Sequence, residues 1–410
     1  MSLFGGVISV TGVAVLSMTV FFVCALGYAL GRITIKGVSL GTAGVFIVAL
    51  IYGALLNLLI KVPAFENFDV SSGNMKIIEN IGLVFFVTSV GFIAGPNFFK
   101  NLKKNFKSYI LLGLIIVLAG GGTCVACYFI GKGAEADPKE FVAMLVGILS
   151  GSLTSTPAFS AAKATVAPEY EDAVTVGHGI AYLFGVIGVV LFVQLIPKLF
   201  KANMEEEREK IAIVDTGKKK EYTGKLVEMD KFGLFPIGCA IVLGMLLGAI
   251  KIPLSKAGLS GTTFSLTTTG GCLMVALILG HFGRIGKIDF TPSKRVLEVF
   301  RELGLMLFLV GAGIPGGKNF VNYFKVAYFF YGVAMTIVPM VIGFIFARFV
   351  LKLNLLNNLG SITGGMTSTP ALGTLINVAG TDDVASAYAA TYPIALIAVV
   401  LVSQFIIILL

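Results

Sequence analysis

Two copies of Thr-Ser-Thr-Pro-Ala, at 154–158 and 367–371, hold the sequence's main chemical signal. Thr caps a helix well, and the fixed φ of Pro suits the first helical position. Each copy therefore predicts a half-helix starting at Thr156-Pro157 or Thr369-Pro370. Free backbone N–H groups and the positive dipole end at such a start hold an anion without a buried Arg. The preceding arms end near Ser150-Gly151 and Thr363-Gly364, where exposed carbonyls suit Na⁺. Hydroxyls of Thr154, Ser155, Thr156, Thr367, Ser368 and Thr369 can serve either ligand. Gly147, Gly151, Gly360, Gly364 and Gly365 let backbones approach. A Ser/Thr/Gly packing motif accounts for one such copy equally well. Two copies at matched positions, each in a broken segment, point to a midplane substrate site.

An apolar segment with polar side chains follows each copy. The first carries His178 and Tyr182, the second Tyr388, Thr391 and Tyr392. Positions four apart share a helix face, so these residues are candidates to line the substrate path. A hydrogen-bonded core histidine is the competing reading of His178. Thr88 and Ser89 lie mid-segment and are candidate ion ligands, with helix packing as the plainer role. Glu79 stands opposite Arg301 in the repeat, and Asn80 opposite Glu302. Ionisable residues within a span are functional candidates, but these lie near segment ends, where an interfacial role fits at least as well. Asp382 and Asp383 read as caps of the last segment, and His281 as an exposed segment end.

These groups need elements to hold them. The chain has 410 residues, 56% of them hydrophobic and 13% charged, with 50 Gly and no Trp. An ordinary soluble domain is about 25% charged. The composition excludes a soluble enzyme, a disordered chain and a disulfide scaffold, and indicates an all-α polytopic membrane protein. Apolar segments fall at 9–30, 39–61, 77–96, 107–131, 139–166 and 172–198. A second series follows at 232–250, 259–281, 296–315, 325–348, 357–378 and 384–410. The two series are a duplication. Asn80-Ile-Gly-Leu83 matches Glu302-Leu-Gly-Leu305, and Gly95-x-Asn-Phe98 matches Gly317-x-Asn-Phe320, both at an offset of 222. The Thr-Ser-Thr-Pro copies lie 213 apart, and Tyr182 and Tyr392 lie 210 apart. Internal repeats of this kind are frequent in secondary transporters.

The fifth segment decides whether the repeats are parallel or inverted. Each of its arms holds about 10 residues, ~15 Å of helix, half of the ~30 Å hydrocarbon core. A re-entrant hairpin and a broken crossing helix both fit that length. If both segments re-enter, 13 basic residues outside the 198–231 stretch, Arg32, Lys36, Lys103, Lys104, Arg284 and Lys287 among them, lie inside against 9 outside, whereas twelve full crossings give 11 against 11, which favours inverted repeats. The expected organisation is a first membrane repeat over 1–198, a charged cytoplasmic linker over 199–231 and a second repeat over 232–410. Each repeat has five transmembrane helices and one re-entrant hairpin, with both termini outside. The linker stretch carries nine basic and eight acidic residues from 198 to 231 and reads as solvated. Glu205–Lys210 is its one candidate helix.

The formal charge of +9 belongs to membrane loops rather than to a nucleic-acid partner. Lys103-Lys104 and Lys218–Lys220 read as inside-facing charge. The first apolar run lacks a basic leader, so no cleavable signal is expected. Cys124-x-x-Cys127 has metal or redox spacing but no accompanying Cys or His pair, so a packed-helix role is expected. Gly311-x-Gly-x-x-Gly316 matches a dinucleotide fingerprint but follows no strand. No cofactor is expected.

Gly147-Ile-Leu-Ser-Gly-Ser-Leu-Thr-Ser-Thr-Pro157 and Gly360-Ser-Ile-Thr-Gly-Gly-Met-Thr-Ser-Thr-Pro370 resemble the duplicated signature of the aspartate:alanine exchanger family. The likeness covers both membrane halves. It implies a dimeric secondary carrier for small carboxylates or amino acids, read as lying in a bacterial-type inner membrane. No HExxH motif occurs, and no enzymatic activity is expected. Family members commonly carry soluble regulatory domains between the halves, where this chain has only its linker. A more distant likeness to sodium-coupled glutamate carriers makes Na⁺ a candidate coupling ion. The combined expectation is an exchanger or Na⁺-coupled carrier for a small anionic or zwitterionic substrate. Its site would lie where the two hairpin tips meet, with elevator-like alternating access. A monovalent cation/proton antiporter is the alternative. It needs a buried carboxylate, and no Asp or Glu is expected mid-segment. A channel-like pore with Ser/Thr loops as its filter is a further rival.

Overall fold

The computed structural model describes residues 2–3, 8–9, 12–35, 38–39, 43–59, 72–104, 106–211, 226–253, 263–381 and 383–410. Asp382, Lys218–Lys220 and the rest of 212–225 lie outside the described residues, as do the side chains of Thr369 and Pro370.

The first series folds as α1 (Val13–Gly31), α2 (Ala43–Leu59), α3 (Ser72–Lys104), α4 (Leu111–Gly131), α5 (Pro138–Ser152), α6 (Thr156–Thr165) and α7 (Glu171–Leu199). A short α8 (Met204–Glu209) follows in the linker. The second series folds as α9 (Leu234–Gly248), α10 (Thr267–Phe282), α11 (Lys294–Tyr323), α12 (Val326–Ile345), α13 (Leu355–Gly365), α14 (Thr369–Ala379) and α15 (Val384–Leu409). Four isolated antiparallel pairs of two-residue strands close loops, such as Arg284–Ile285 with Ile288–Asp289. Helix starts follow capping chemistry. Asp137 accepts from the N–H groups of Lys139 and Glu140 ahead of Pro138, and Ser293 and Asn354 cap α11 and α13.

Among the described residues, six helical stretches are long and apolar enough to cross a membrane. They are Val13–Gly31, Gly73–Pro96, Ser108–Ala134, Pro168–Leu199, Val326–Val350 and Val384–Leu409. Phe21, Leu118, Phe330 and Ile337 point outward from such helices, as lipid contact requires. The chain is an all-α polytopic membrane protein.

Close approaches of glycine fix the helix directions. Gly147 lies on Val174 and Gly151 on His178 and Tyr182, so α5 and α7 run in the same direction. Gly360 on Val384 and Gly364 on Tyr388 give the same relation for α13 and α15. The Tyr170 hydroxyl, at the head of α7, donates to Asp137 at the head of α5 over 2.9 Å. By contrast, α3 and α11 cross antiparallel at Gly82 and Gly304, the residues matched by the 222 offset. A Cβ on Gly82 would lie 2.6 Å from the Gly304 carbonyl oxygen, and one on Gly304 2.7 Å from that of Gly82. The equivalent helices α4 and α12 also run antiparallel, with Ile116 on Gly343 and Gly131 on Tyr331.

Packing divides the helices into two groups. In the first, α1–α3 pack with α9–α11, pairing α2 with α11 and α10 with α3. In the second, α4–α7 pack with α12–α15, and the short helices are exchanged: α6 lies on α15 and α14 on α7.

In the described part of the linker, α8 forms where Glu205–Lys210 predicts it, with Glu205, Glu206 and Glu209 exposed. This helix holds both ends of the second broken segment. Glu207 accepts from the Leu355 N–H at the start of α13, and Arg208 donates to the Ala379 carbonyl at the end of α14, over 3.0 Å. Carboxylate at the N-terminus and guanidinium at the C-terminus both suit the helix dipoles.

Candidate functional site

The two Thr-Ser-Thr-Pro breaks have one backbone design. After α5, the Thr154 N–H bonds the Gly151 carbonyl (2.9 Å) and the Ser155 N–H the Ser150 carbonyl (2.8 Å). After α13, Thr367 bonds Gly364 and Ser368 bonds Thr363, each over 3.0 Å. Each is a Schellman ending, whose left-handed position usually holds Gly. Here it holds Thr, at φ 51° in both copies. For a β-branched residue that conformation is strained. The hydroxyl explains the choice. Thr154 Oγ1 donates to the Met366 carbonyl over 2.9 Å, and Thr367 Oγ1 to the Leu153 carbonyl over 2.7 Å. Leu153 and Met366 are themselves matched by the 213 offset, so the tips grip each other reciprocally. Glycine could not make either bond.

The structure brings the expected tip residues together and gives most of their polar groups partners. The carbonyls of Gly151 and Gly364 accept the Thr N–H groups just described. The Ser150 hydroxyl donates to the Gly147 carbonyl and lies 2.8 Å from His178 Nδ1. Thr363 donates to Leu359 within its own helix, and Thr391 to Ala387. Ser155 caps α6 by accepting from the Ala158 N–H, beside Pro157 in the first turn, and Thr156 is buried there. The Ser368 hydroxyl is buried without a hydrogen-bond partner. Thr88 sits against Cys272, and the buried Ser89 hydroxyl has no partner. Cys124 and Cys127 are buried and free, one turn apart on α4.

The two faces behind the tips differ. In the first repeat His178 is fully buried and stacked on Phe159 at 4.2 Å and on Tyr182 at 5.0 Å, with Phe46 edge-on. Beside this stack Lys163 of α6 pairs with Glu79 of α3 at 2.8 Å, their side chains only 6% and 7% exposed. Lys163 also lies 4.0 Å from Glu171, which in turn pairs with the half-exposed Lys76. In the second repeat Tyr388 and Tyr392 stack on each other at 5.1 Å and border a cavity of about 220 Å³. Val90, Ile93 and Ala94 of α3, Arg301 of α11, and Ala389 and Pro393 of α15 complete its walls.

One expectation is corrected here. Glu79 is not at a segment end: α3 begins at Ser72, and Glu79 lies three residues before Gly82, about 4.5 Å along the axis from the helix crossing. A carboxylate is therefore buried in a spanning helix after all, held by Lys163. Arg301 is likewise three residues before Gly304, and it borders the cavity. Lys163 escaped the sequence reading, although it is the one basic residue between Glu140 and Val166. Its isolation inside an apolar segment was the available signal.

The family described as a "Predicted Permease Membrane Region", that of the aspartate–alanine exchangers, matches residues 19–198 and 236–408. An uncharacterized transporter of Bacteroides thetaiotaomicron is 27% identical, covering 94% of this chain and 97% of its own length. One from Rhodopirellula baltica is 25% identical over 92% and 96%, and one from Geobacter sulfurreducens 23% over 94% and 97%. The alignment with the Bacteroides protein spans 543 positions against a chain of 410 residues, so that relative holds segments with no counterpart here. The chain belongs to the aspartate–alanine exchanger family, a family of membrane transporters.

Proposed function

We propose that this member of the exchanger family is a secondary carrier for small carboxylates or amino acids in a bacterial inner membrane. It is built from two inverted repeats, each with five crossings and one re-entrant hairpin. One observation carries the reading: residues equivalent in sequence touch each other reciprocally, Gly82 on Gly304 and the Leu153–Thr154 tip on the Met366–Thr367 tip. Contact across a two-fold axis between antiparallel equivalents is what inverted repeats produce, with the tips meeting near the midplane. The shared direction of α5 and α7 supports re-entry, because α6 must then return the chain to its side of entry. The same holds for α14.

Alternating access follows from the difference between the two faces. The α3–α7 side is closed by the aromatic stack and the Glu79–Lys163 pair. The equivalent α11–α15 side is open at the Arg301 cavity. With the linker cytoplasmic and both termini outside, this is an inward-facing state. The second helix group, which bears the hairpins, moves against the first, and the homodimer that the family resemblance implies would steady the first group.

The test is uptake of labelled aspartate, alanine, glutamate and succinate into proteoliposomes, with and without internal substrate and a Na⁺ gradient. Uptake that needs internal substrate supports exchange, and uptake driven by Na⁺ alone makes the protein a symporter. Na⁺ or H⁺ flux without transport of any of these solutes replaces the carrier reading with the antiporter.

A further inference from the structure

The tips leave the substrate's charge without an obvious partner. Most of their hydroxyls are spent on each other or on their own helices, with Ser368 the exception, and no cationic side chain belongs to them. Glu79 and Arg301, matched by the 222 offset, carry charges of opposite sign. The closed side neutralises its member of the pair with Lys163. The position equivalent to Lys163 in the second repeat, at the 213 offset, is Ile376, which supplies no countercharge. Arg301 has no ion-pair partner among the described residues, and its neighbour Glu302 is hydrogen-bonded to Tyr28 of α1. Arg301 is half-buried on the cavity wall, so its guanidinium is free to take a charge-assisted bond from an anion that enters.

We propose that Arg301 is the anion receptor of the transport site, binding the carboxylate of a small organic acid in the cavity lined by Tyr388 and Tyr392. The inference rests on the carrier reading above and names the group that recognises the substrate. The cavity of about 220 Å³ admits a molecule of amino-acid or short dicarboxylic-acid size. A guanidinium forks onto a carboxylate through two parallel N–H···O bonds, which fixes orientation as well as charge. The tyrosine ring faces and the apolar wall at Val90 and Ile93 suit a short carbon skeleton. The wall spans both helix groups, because Ile93 and Arg301 belong to the first and the tyrosines to the second. A substrate bound there touches both parts that must move.

The experiment titrates L-aspartate and succinate, with the uncharged succinamide as control, into the purified full-length protein by calorimetry. The same solutes are then run in proteoliposome counterflow. Wild type is expected to bind at least one of the two acids and not succinamide. Arg301→Met should weaken that binding roughly 10- to 100-fold, the effect of losing a charge-assisted hydrogen-bonded pair, and Arg301→Lys should fall between. Ile93→Trp fills the cavity with the charge left in place and should abolish binding while the folded protein elutes unchanged. It keeps the inference open to refutation if Arg301→Met does not fold. Unchanged acid binding in Arg301→Met or in Ile93→Trp overturns the site. If counterflow of the acids persists in those variants, the carrier reading stands without it. Wild type that neither binds nor exchanges either acid removes both.

Discussion

The pair of Lys163 and Glu79 joins the two helix groups on the closed side, and removing one partner should open that side. At 2.8 Å, with both side chains more than nine-tenths buried, each charge depends on the other for its solvation. Breaking such a pair on one side strands a buried charge, at a cost of about 3–5 kcal/mol. The outward-open state would let water reach Glu79 and relieve that cost. Lys163→Met therefore shifts the equilibrium between closed and open by roughly 150- to 4,000-fold, at about 1.4 kcal/mol per decade. Glu171 at 4.0 Å from Lys163 does not compensate, since it is also a carboxylate. The reporter is a cysteine at Thr175 of α7, fully buried against Gly316 of α11, in a background without the five native cysteines. A membrane-impermeant thiol reagent should label it far faster in Lys163→Met than in the otherwise wild-type protein. The double variant Glu79→Gln/Lys163→Met strands no charge and should return most of the way to the slow rate. Labelling of Lys163→Met within a factor of about three of the parent would refute the reasoning, as would a double variant as open as the single one.

The tip-to-tip bonds predict that Thr154→Val, which keeps the shape and removes the donor, costs about 1–3 kcal/mol by leaving the buried Met366 carbonyl unpaired, while Thr154→Ser is milder. Denaturant or thermal unfolding in detergent reads both. Gly82→Ala should cost about 1–3 kcal/mol because the new Cβ meets the Gly304 backbone, whereas Gly122→Ala, with open space around it, should not destabilise. Arg208→Ala should speed amide exchange at the end of α14, since the Ala379 carbonyl loses its cation. Asp230, whose carboxylate accepts from the N–H groups of Phe235, Leu234 and Phe232, is held below the ordinary carboxylate range by those bonds. A lowered folded-state pKa stabilises fully above the unfolded value near 4, and the contribution is lost as pH falls through the folded one. Asp230→Asn should remove that acid-side dependence from the unfolding midpoint.

Much of the architecture was legible because membrane insertion makes composition speak directly. Every apolar segment became a helix or a helix pair, and Thr-Pro set the start of α6 and α14 where capping chemistry places it. The repeat was legible because Gly82 and Gly304 must stay small to let two backbones cross. What escaped was pairing across sequence distance. That Thr154 and Thr367 are donors to each other's tips, not free ligands, depends on two loops meeting that no local pattern encodes. Glu79 looked peripheral because hydropathy began the third segment only at 77, while the helix itself runs from Ser72. Lys163 is unremarked by any motif, and its meaning appears only beside Glu79. The linker's charges suggested solvent, yet Glu207 and Arg208 are spent on the ends of α13 and α14.

Movement of the hairpin-bearing group against the other is the central claim, and a reversible lock across their boundary tests it. Ser160 of α6 and Thr269 of α10 lie 3.0 Å apart at their hydroxyls, one in each group. Ala181 of α7 and Gly332 of α12 touch within the hairpin-bearing group. With cysteines at Ser160 and Thr269, mercury crosslinking should stop transport in proteoliposomes and thiol should restore it. The same treatment of cysteines at Ala181 and Gly332 should leave transport running. Full transport through a crosslinked Ser160–Thr269 pair would contradict the account.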